Sequence, residues 1–151
     1  LGPKGLLVMF ICNHCPYVKA IRSKLIRESK ELRELGFGVV AINSNDGVSY
    51  PEDSFENMQR EAQEFGYPFQ YLWDQDQSVA KAYGAVCTPD FFAYNAKLEL
   101  QYRGRLDDAG AQFDANDRPR ELFAAMQQIA KTGRGPEEQV PSMGCSIKWL
   151  S

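Results

Sequence analysis

The sequence predicts an α/β fold in which a central mixed sheet carries helices on both of its faces. Two apolar segments, Gly5–Ile11 and Gly38–Asn43, are typical of buried strands, and each precedes a segment with helical periodicity. Such alternation of strands and helices favours parallel pairing of the strands. Two later segments, Phe91–Asn95 and Leu98–Tyr102, predict a hairpin that adds antiparallel strands to the sheet.

Several further segments complete the predicted fold. The first helix extends from about Tyr17 to Leu35, with its apolar residues on one side, and ends at Gly36. The second helix opens with Asp53-x-x-Glu56, which is similar to a capping box and assigns Asp53 to the helix start. The remaining predicted elements are the helices Asp53–Phe65, Gln77–Tyr83 and Pro119–Lys131 and the short strand Phe69–Trp73.

Length and composition predict a single folded domain over residues 1–151, in which residues 133–151 form an irregular tail. Hydrophobic residues make up 44% of the chain, which excludes a disordered protein. The net charge of −3 and the lack of a basic patch argue against a nucleic-acid partner. The longest apolar run, Leu6–Cys12, is too short to span a membrane.

The N-terminal end of the sequence shows no signal peptide, and we expect a cytoplasmic location. The chain opens at Leu1, and the first predicted strand begins within a few residues of it. We therefore expect that an N-terminal element of the fold is missing from this sequence.

Two cysteines lie between the first predicted strand and the first predicted helix, in the segment Cys12-Asn13-His14-Cys15. Cysteines at this spacing can form a disulfide, and a helix N-terminus favours a thiolate over a thiol. We predict that Cys12 is the attacking nucleophile and that Cys15 resolves the mixed disulfide. His14 is expected to stabilise the Cys12 thiolate and to make the pair more oxidising.

The same two cysteines are compatible with other chemistry. A C-x-x-C segment also supplies half of many zinc and iron–sulfur sites. A metal-binding or metal-delivery module that uses Cys12, Cys15 and His14 is therefore a second hypothesis, and an inert pair is a third. The dithiol reaction itself requires no cofactor.

A second motif, Thr88-Pro89, stands just before the predicted strand Phe91–Asn95, where a residue without a backbone N–H is tolerated. Together with the dithiol, this order of motifs resembles the thioredoxin superfamily. The resemblance implies that Pro89 is a cis-proline facing the dithiol and that the backbone of Thr88 pairs with substrate. The predicted substrate-binding residues are Asn13, Thr88 and Pro89.

Longer segments narrow the resemblance to the redoxin branch of the superfamily, which is related to alkyl hydroperoxide reductases. These segments are Phe-Ile-Cys-Asn-His-Cys-Pro-Tyr-Val, Thr-Pro-Asp-Phe-Phe and, in the tail, Gly-Cys-Ser-Ile-Lys-Trp. They are similar to segments of uncharacterised bacterial thioredoxin-like proteins. The resemblance implies a thiol–disulfide oxidoreductase that acts on protein thiols or disulfides and has an electron donor or acceptor as a second partner. The direction of electron flow and the oligomeric state stay open.

Two departures from the family pattern affect the expected mechanism. Thioredoxins have an acidic residue in the strand before the dithiol, whereas Leu6–Ile11 contains none. Proton transfer is therefore expected to use His14, water or a residue elsewhere in the chain. Peroxiredoxins have a threonine or serine and a proline shortly before the reactive cysteine, whereas Phe10-Ile11 precede Cys12. A peroxide-reducing redoxin is therefore the weaker hypothesis.

The other two cysteines, Cys87 and Cys145, have three alternative roles in this fold. They can form an auxiliary redox disulfide with each other, join the dithiol in a metal site, or act as small buried hydrophobic residues. Because Cys87 shortly precedes Pro89, we expect it near Cys12.

Overall fold

A computed structural model describes residues 2–109 and 118–150 of the chain. Residues 1, 110–117 and 151, which the predicted domain includes, lie outside the described residues. The described strands are β1 (Gly5–Phe10), β2 (Phe37–Asn43), β3 (Gln70–Trp73), β4 (Cys87–Thr88), β5 (Asp90–Asn95), β6 (Leu100–Gly104) and β7 (Cys145–Ser146). The helices are α1 (Pro16–Leu35), α2 (Phe55–Phe65), α3 (Ser78–Tyr83) and α4 (Glu121–Thr132), with a 3₁₀ turn at Pro51–Asp53.

The central sheet is mixed, as predicted. Strand β5 pairs antiparallel with β1 on one side and with β6 on the other. Strands β2 and β3 pair in parallel, with Val40 opposite Gln70. The two groups of strands meet where the Ile11 N–H donates a 3.0 Å hydrogen bond to Ile42 O. The dithiol follows β1 directly, so it lies at the end of a strand in the middle of the sheet.

Helices cover both faces of the sheet, which confirms the predicted fold class. Successive side chains of a strand point to opposite faces. Accordingly, Leu7 and Met9 of β1 pack into a core cluster with α1 and α4. Val8 and Phe10 pack instead into a second cluster with α3, where the ring centroid of Phe10 is 5.3 Å from that of Tyr83. No helix within residues 2–109 and 118–150 is both long and apolar enough to cross a membrane.

Helix α1 begins at Pro16, and this start determines where the two cysteines lie relative to the helix N-terminus. Cys15 has extended dihedral angles, with φ −66° and ψ 128°, which is the conformation that a following proline favours. Cys15 is therefore the N-cap residue of α1, and Cys12 lies in the loop before it. The helix ends at Gly36, as predicted, where a φ of 108° requires a residue without a side chain.

The C-terminal tail contains a strand, which differs from the irregular segment that we predicted. Strand β7 pairs antiparallel with β4, so that Thr88 lies opposite Cys145 and Cys87 lies opposite Ser146. The sequence did not predict this pair because a strand of two residues shows no periodicity and the two strands are far apart along the chain. Ile147 is buried in the same core cluster as Phe10, which holds the tail against the domain.

A buried ion pair connects α1 with the segment that follows β6. Lys24 Nζ lies 2.7 Å from Asp107 Oδ2, and the two side chains are only 5% and 8% exposed. Removing the cation leaves a buried carboxylate without its partner, and such changes cost about 3–5 kcal/mol. We predict that Lys24→Met lowers the free energy of unfolding by that amount, as measured by urea denaturation.

The matched control for this prediction is Lys30→Met, because Lys30 is an exposed lysine on the same helix. Exposed substitutions of this kind change stability by less than about 0.5 kcal/mol. Equal unfolding free energies for the two variants would show that the Lys24–Asp107 pair contributes no stability.

Candidate active site

The two cysteines of the dithiol converge on Thr88. Cys12 Sγ lies 3.4 Å from Thr88 Oγ1, and Cys15 Sγ lies 3.5 Å from Thr88 O. The Thr88–Pro89 peptide bond is cis, as the resemblance implied. Both sulfur-bearing residues are buried, with Cys12 1% and Cys15 0% exposed. The strand-to-helix junction and the cis-proline loop thus form one enclosed site.

The hydrogen bond between the two thiols of the reduced pair favours ionisation of Cys15, whereas we expected the thiolate on Cys12. The hydrogen bond from Cys12, followed by those from Cys145 and the Val18 backbone N–H, lowers the pKa of Cys15 to about 4 in spite of burial. The hydrogen bond to Cys15, burial and the negative charge of Asp53 raise the pKa of Cys12 above its ordinary value. Cys15 also lies at the N-terminus of α1, where a helix favours a thiolate.

We therefore predict that the reduced protein contains one thiolate at neutral pH. Its ultraviolet absorbance should persist on acidification and disappear as the pH falls through about 4, because the pKa of Cys15 is lowered to that value. Cys15→Ser should abolish this absorbance. Cys87→Ser is the control and should leave it unchanged, since burial raises the pKa of Cys87 to about 11. A thiolate that appears only above pH 8 would contradict the assignment.

Asp53 is a site residue that the sequence reasoning missed. The predicted capping box assigned Asp53 to the start of α2, but Ser54 is the residue that caps this helix, with its side chain accepting from Asn57 N at 3.3 Å. Asp53 is fully buried and faces the dithiol instead. An acidic residue followed by serine fits a helix start in either register, so the local pattern could not distinguish the two.

Both carboxylate oxygens of Asp53 have partners in the loops around the dithiol. Oδ1 accepts hydrogen bonds from Asn13 N at 2.6 Å and from Asn43 Nδ2 at 3.1 Å. Oδ2 accepts from Asn45 Nδ2 at 2.9 Å and contacts His14 Nδ1. The acidic group that β1 lacks is therefore supplied by the 3₁₀ turn that precedes α2.

Asn13 has a different place from the substrate-binding position that we predicted. It is 3% exposed, its Nδ2 donates to Glu52 O at 2.8 Å, and its Oδ1 accepts from Tyr71 OH at 2.9 Å. With its backbone N–H bound to Asp53, Asn13 uses its polar groups within the protein. Asn13 therefore holds the loop between the two cysteines in place.

His14 is the most accessible residue of the motif. Its side chain is 28% exposed, and its ring stacks parallel to that of Tyr50 at a centroid distance of 6.4 Å. A ring nitrogen of His14, Cys12 Sγ and a carboxylate oxygen of Asp53 lie within 4.8 Å of one another. The imidazole therefore lies between solvent and the buried thiol, where it can carry a proton.

The two remaining cysteines have different neighbours. Cys145 Sγ is 2.7 Å from Cys15 Sγ, whereas Cys87 Sγ lies near Pro89 O at 4.0 Å. Neighbouring residues of a strand point to opposite sides. Cys145 lies opposite Thr88 and thus faces the dithiol, so its sulfur meets Cys15 and not Cys87, contrary to the auxiliary pair that we considered.

The metal hypothesis is altered by the same geometry. Among the described residues, the potential ligand group consists of Cys12, His14 and Asp53. The sequence-based hypothesis instead used Cys12, Cys15 and His14. Each carboxylate oxygen of Asp53 already has two partners, which uses the acceptor positions of an ionised carboxylate. A cation at this place would have to displace a hydrogen-bond donor, and the arrangement therefore suits proton transfer better than metal binding.

Asp53 should be essential for the stability of this site. Asp53→Asn preserves the shape of the side chain but directs an amide N–H₂ at groups that are themselves donors. Charge-assisted hydrogen bonds are lost and buried donors remain unsatisfied, so we predict a loss of about 2–4 kcal/mol in the free energy of unfolding. Chemical denaturation of the reduced protein measures it. Glu52→Gln, the same change at the exposed neighbouring residue, should have no measurable effect, and equal losses would refute the role of Asp53.

A model of the AhpC/TSA family matches residues 1–108. A structure of an uncharacterized conserved protein from Geobacillus kaustophilus is 48% identical, with a TM-score of 0.89 over 99% of this chain and 79% of that chain. A hypothetical protein from Sinorhizobium meliloti 1021 is 43% identical, with a TM-score of 0.90 over 99% and 81% of the two chains.

More distant structures share the fold. The thioredoxin domain of a thiol-disulfide oxidoreductase from Bacteroides vulgatus is 14% identical, and it superposes with a TM-score of 0.63 over 85% of this chain and 80% of that chain. No curated protein matches the sequence.

Proposed function

The chain belongs to the AhpC/TSA family of thioredoxin-like redoxins, and we propose that it is a thiol–disulfide oxidoreductase whose redox centre is the dithiol of Cys12 and Cys15. The observation that supports this proposal most strongly is the convergence of both sulfurs on Thr88, beside the cis-proline. The lowered pKa of Cys15, which its hydrogen bond from Cys12 causes first of all, supplies the thiolate that resolves a mixed disulfide at Cys12.

In the proposed cycle, Cys12 loses its proton and attacks a disulfide of a substrate protein. A bond forms between Cys12 Sγ and one substrate sulfur, the substrate disulfide breaks, and the other substrate sulfur leaves as a thiolate. The Cys15 thiolate then attacks Cys12 Sγ. This second step forms the Cys12–Cys15 disulfide and releases the first substrate sulfur, so the substrate gains two electrons and the enzyme loses two.

His14 and Asp53 act in the proton transfers of this cycle. Cys12 has to lose a proton before it attacks, and a nitrogen of His14 lies within 4.8 Å of its sulfur. The Asp53 carboxylate contacts His14 Nδ1 and thereby stabilises the imidazolium that forms. We propose that His14 accepts the proton of Cys12 and returns it to a leaving thiolate.

The substrates that we propose are protein disulfides. Pro89, which follows Thr88, lines a recess together with Tyr17 of α1, Leu106 and the exposed Met143 of the tail, and Arg105, Asp107 and Asp108 add charges to its lining. Apolar side chains of this kind can receive a hydrophobic residue of a polypeptide. The proposed site therefore combines an apolar contact surface with a neighbouring redox centre.

We predict that the protein accelerates the reduction of insulin disulfides by dithiothreitol and that this activity depends on the dithiol. Turbidity of the precipitating insulin chain measures the rate. With Cys12→Ser or Cys15→Ser, insulin should be reduced at the rate of dithiothreitol alone, because each variant lacks the cysteine for one of the two steps. Cys87→Ser is the matched control and should retain the wild-type rate. Wild-type activity in Cys12→Ser would refute the proposed function.

Peroxide reduction is a second candidate, which family membership and the Thr88 hydroxyl beside Cys12 favour. In that reaction Cys12 would be oxidised to a sulfenic acid, which a second thiol would convert to a disulfide. A dimedone-type probe distinguishes the two functions. Rapid labelling of Cys12 after one equivalent of hydrogen peroxide, without insulin reductase activity, would favour the peroxidase.

A further inference from the structure

The C-terminal tail forms part of the site. Strand β7 lies on β4, where Cys145 is opposite Thr88 and the Ile147 N–H donates to Val86 O at 2.9 Å. Gly144 approaches so closely that a Cβ atom there would lie 1.9 Å from Thr88 O. A residue with any side chain would therefore force the tail away from the dithiol.

Further hydrogen bonds fix the tail beyond this strand. Lys148 O accepts from Asp46 N at 2.8 Å and from Gln77 Nε2 at 2.9 Å. Lys148 N donates to Asn45 Oδ1 at 2.9 Å, and Asn45 is also a partner of Asp53. The position of the tail is thus determined by the same network that holds the dithiol loop.

This arrangement places a third sulfur on the dithiol. Cys145 Sγ is 2.7 Å from Cys15 Sγ. The strand pairing holds Cys145 opposite Thr88, whose carbonyl oxygen lies 3.5 Å from Cys15 Sγ. Cys145 is half-buried, whereas Cys12 and Cys15 are 1% and 0% exposed. Of the three cysteines, Cys145 is therefore the most exposed while the tail is in place.

We propose that Cys145 is a third redox cysteine, which takes over the disulfide from Cys12 and provides the point at which an external thiol reduces the enzyme. The proposal rests on the proposed function, because the Cys12–Cys15 disulfide has to form first. Cys145 gives up its proton, its sulfur bonds to Cys15 Sγ, and the Cys12–Cys15 bond breaks. Cys12 leaves with the electron pair and takes up a proton. The step moves the disulfide without net oxidation and needs no further oxidant.

The external thiol then attacks the half-buried sulfur. Attack on Cys145 Sγ forms a mixed disulfide at Cys145 and releases Cys15 as a thiolate. A second external thiol reduces the mixed disulfide and forms the external disulfide. The low pKa of Cys15, which follows mainly from its hydrogen bond with Cys12, makes it a good leaving group. Burial raises the pKa of Cys145 to about 11, so Cys145 is protonated in the reduced protein and loses its proton as its sulfur bonds to Cys15.

Disulfide mapping of cysteine-to-serine variants tests the proposal. Cys12→Ser, oxidised with diamide, should form a disulfide between Cys15 and Cys145, detected as a linked peptide by mass spectrometry after alkylation without reduction. Cys12→Ser/Cys87→Ser is the control and should form the same link. Free thiols at Cys15 and Cys145, or a link between Cys87 and Cys145, would overturn the proposal.

Cys145→Ser separates this proposal from the proposed function. After diamide treatment it should contain the Cys12–Cys15 disulfide, but an external thiol such as glutathione should reduce that disulfide at least about tenfold more slowly than in the wild type. Equal rates of reduction would overturn the role of Cys145. Free Cys12 and Cys15 thiols in oxidised Cys145→Ser would instead refute the proposed function, on which this inference depends.

Gly144→Ala tests the tail without removal of a sulfur. In the Cys12→Ser background, this substitution should slow formation of the Cys15–Cys145 disulfide by about tenfold or more, because the added Cβ displaces the tail from Thr88. Circular dichroism of both proteins checks that the fold is retained. An unchanged rate would show that the pairing of β7 with β4 does not bring the sulfurs of Cys15 and Cys145 together.

Discussion

The carboxylate of Asp53 is completely buried, and its charge has to be balanced within the protein. Removing a carboxylate from water is unfavourable by several kcal/mol unless hydrogen-bond donors replace the water. Those donors come from the dithiol loop, through Asn13 and His14, and from the end of β2, through Asn43 and Asn45. The loops around the dithiol are irregular, and the need to surround one charge gives them a single conformation.

The same constraint extends to the tail of the chain. Asn45 donates to Asp53 through Nδ2 and accepts from Lys148 N through Oδ1, so one side chain connects the buried carboxylate with the residues after β7. A displaced tail would leave Asn45 with an unsatisfied acceptor, and a displaced Asn45 would leave Asp53 with one donor fewer. The dithiol, the carboxylate and Cys145 are therefore held together as a unit.

The parts of this structure that the sequence predicted are those with a local signal. The apolar run before Cys12, the periodic helix up to Leu35 and the proline at a strand start each reflect interactions between near neighbours in the chain. The pairing of β4 with β7 joins residues that are far apart in sequence, and two-residue strands have no period. Asp53 was assigned to the helix start because a carboxylate there has the same pattern whether it caps a helix or turns inward.

The assignment of the thiolate shows how a single residue changes the chemistry of a familiar motif. Because Pro16 begins the helix, Cys15 lies at the helix N-terminus, whereas the hydrogen bond with Cys15, burial and the charge of Asp53 raise the pKa of Cys12. Cys12 and Cys15 are both buried, at 1% and 0% exposed, so the charge of the pair is held away from water. The sulfur of Cys145 lies in contact with that of Cys15, and in the proposed cycle it gives electrons a second way into the site.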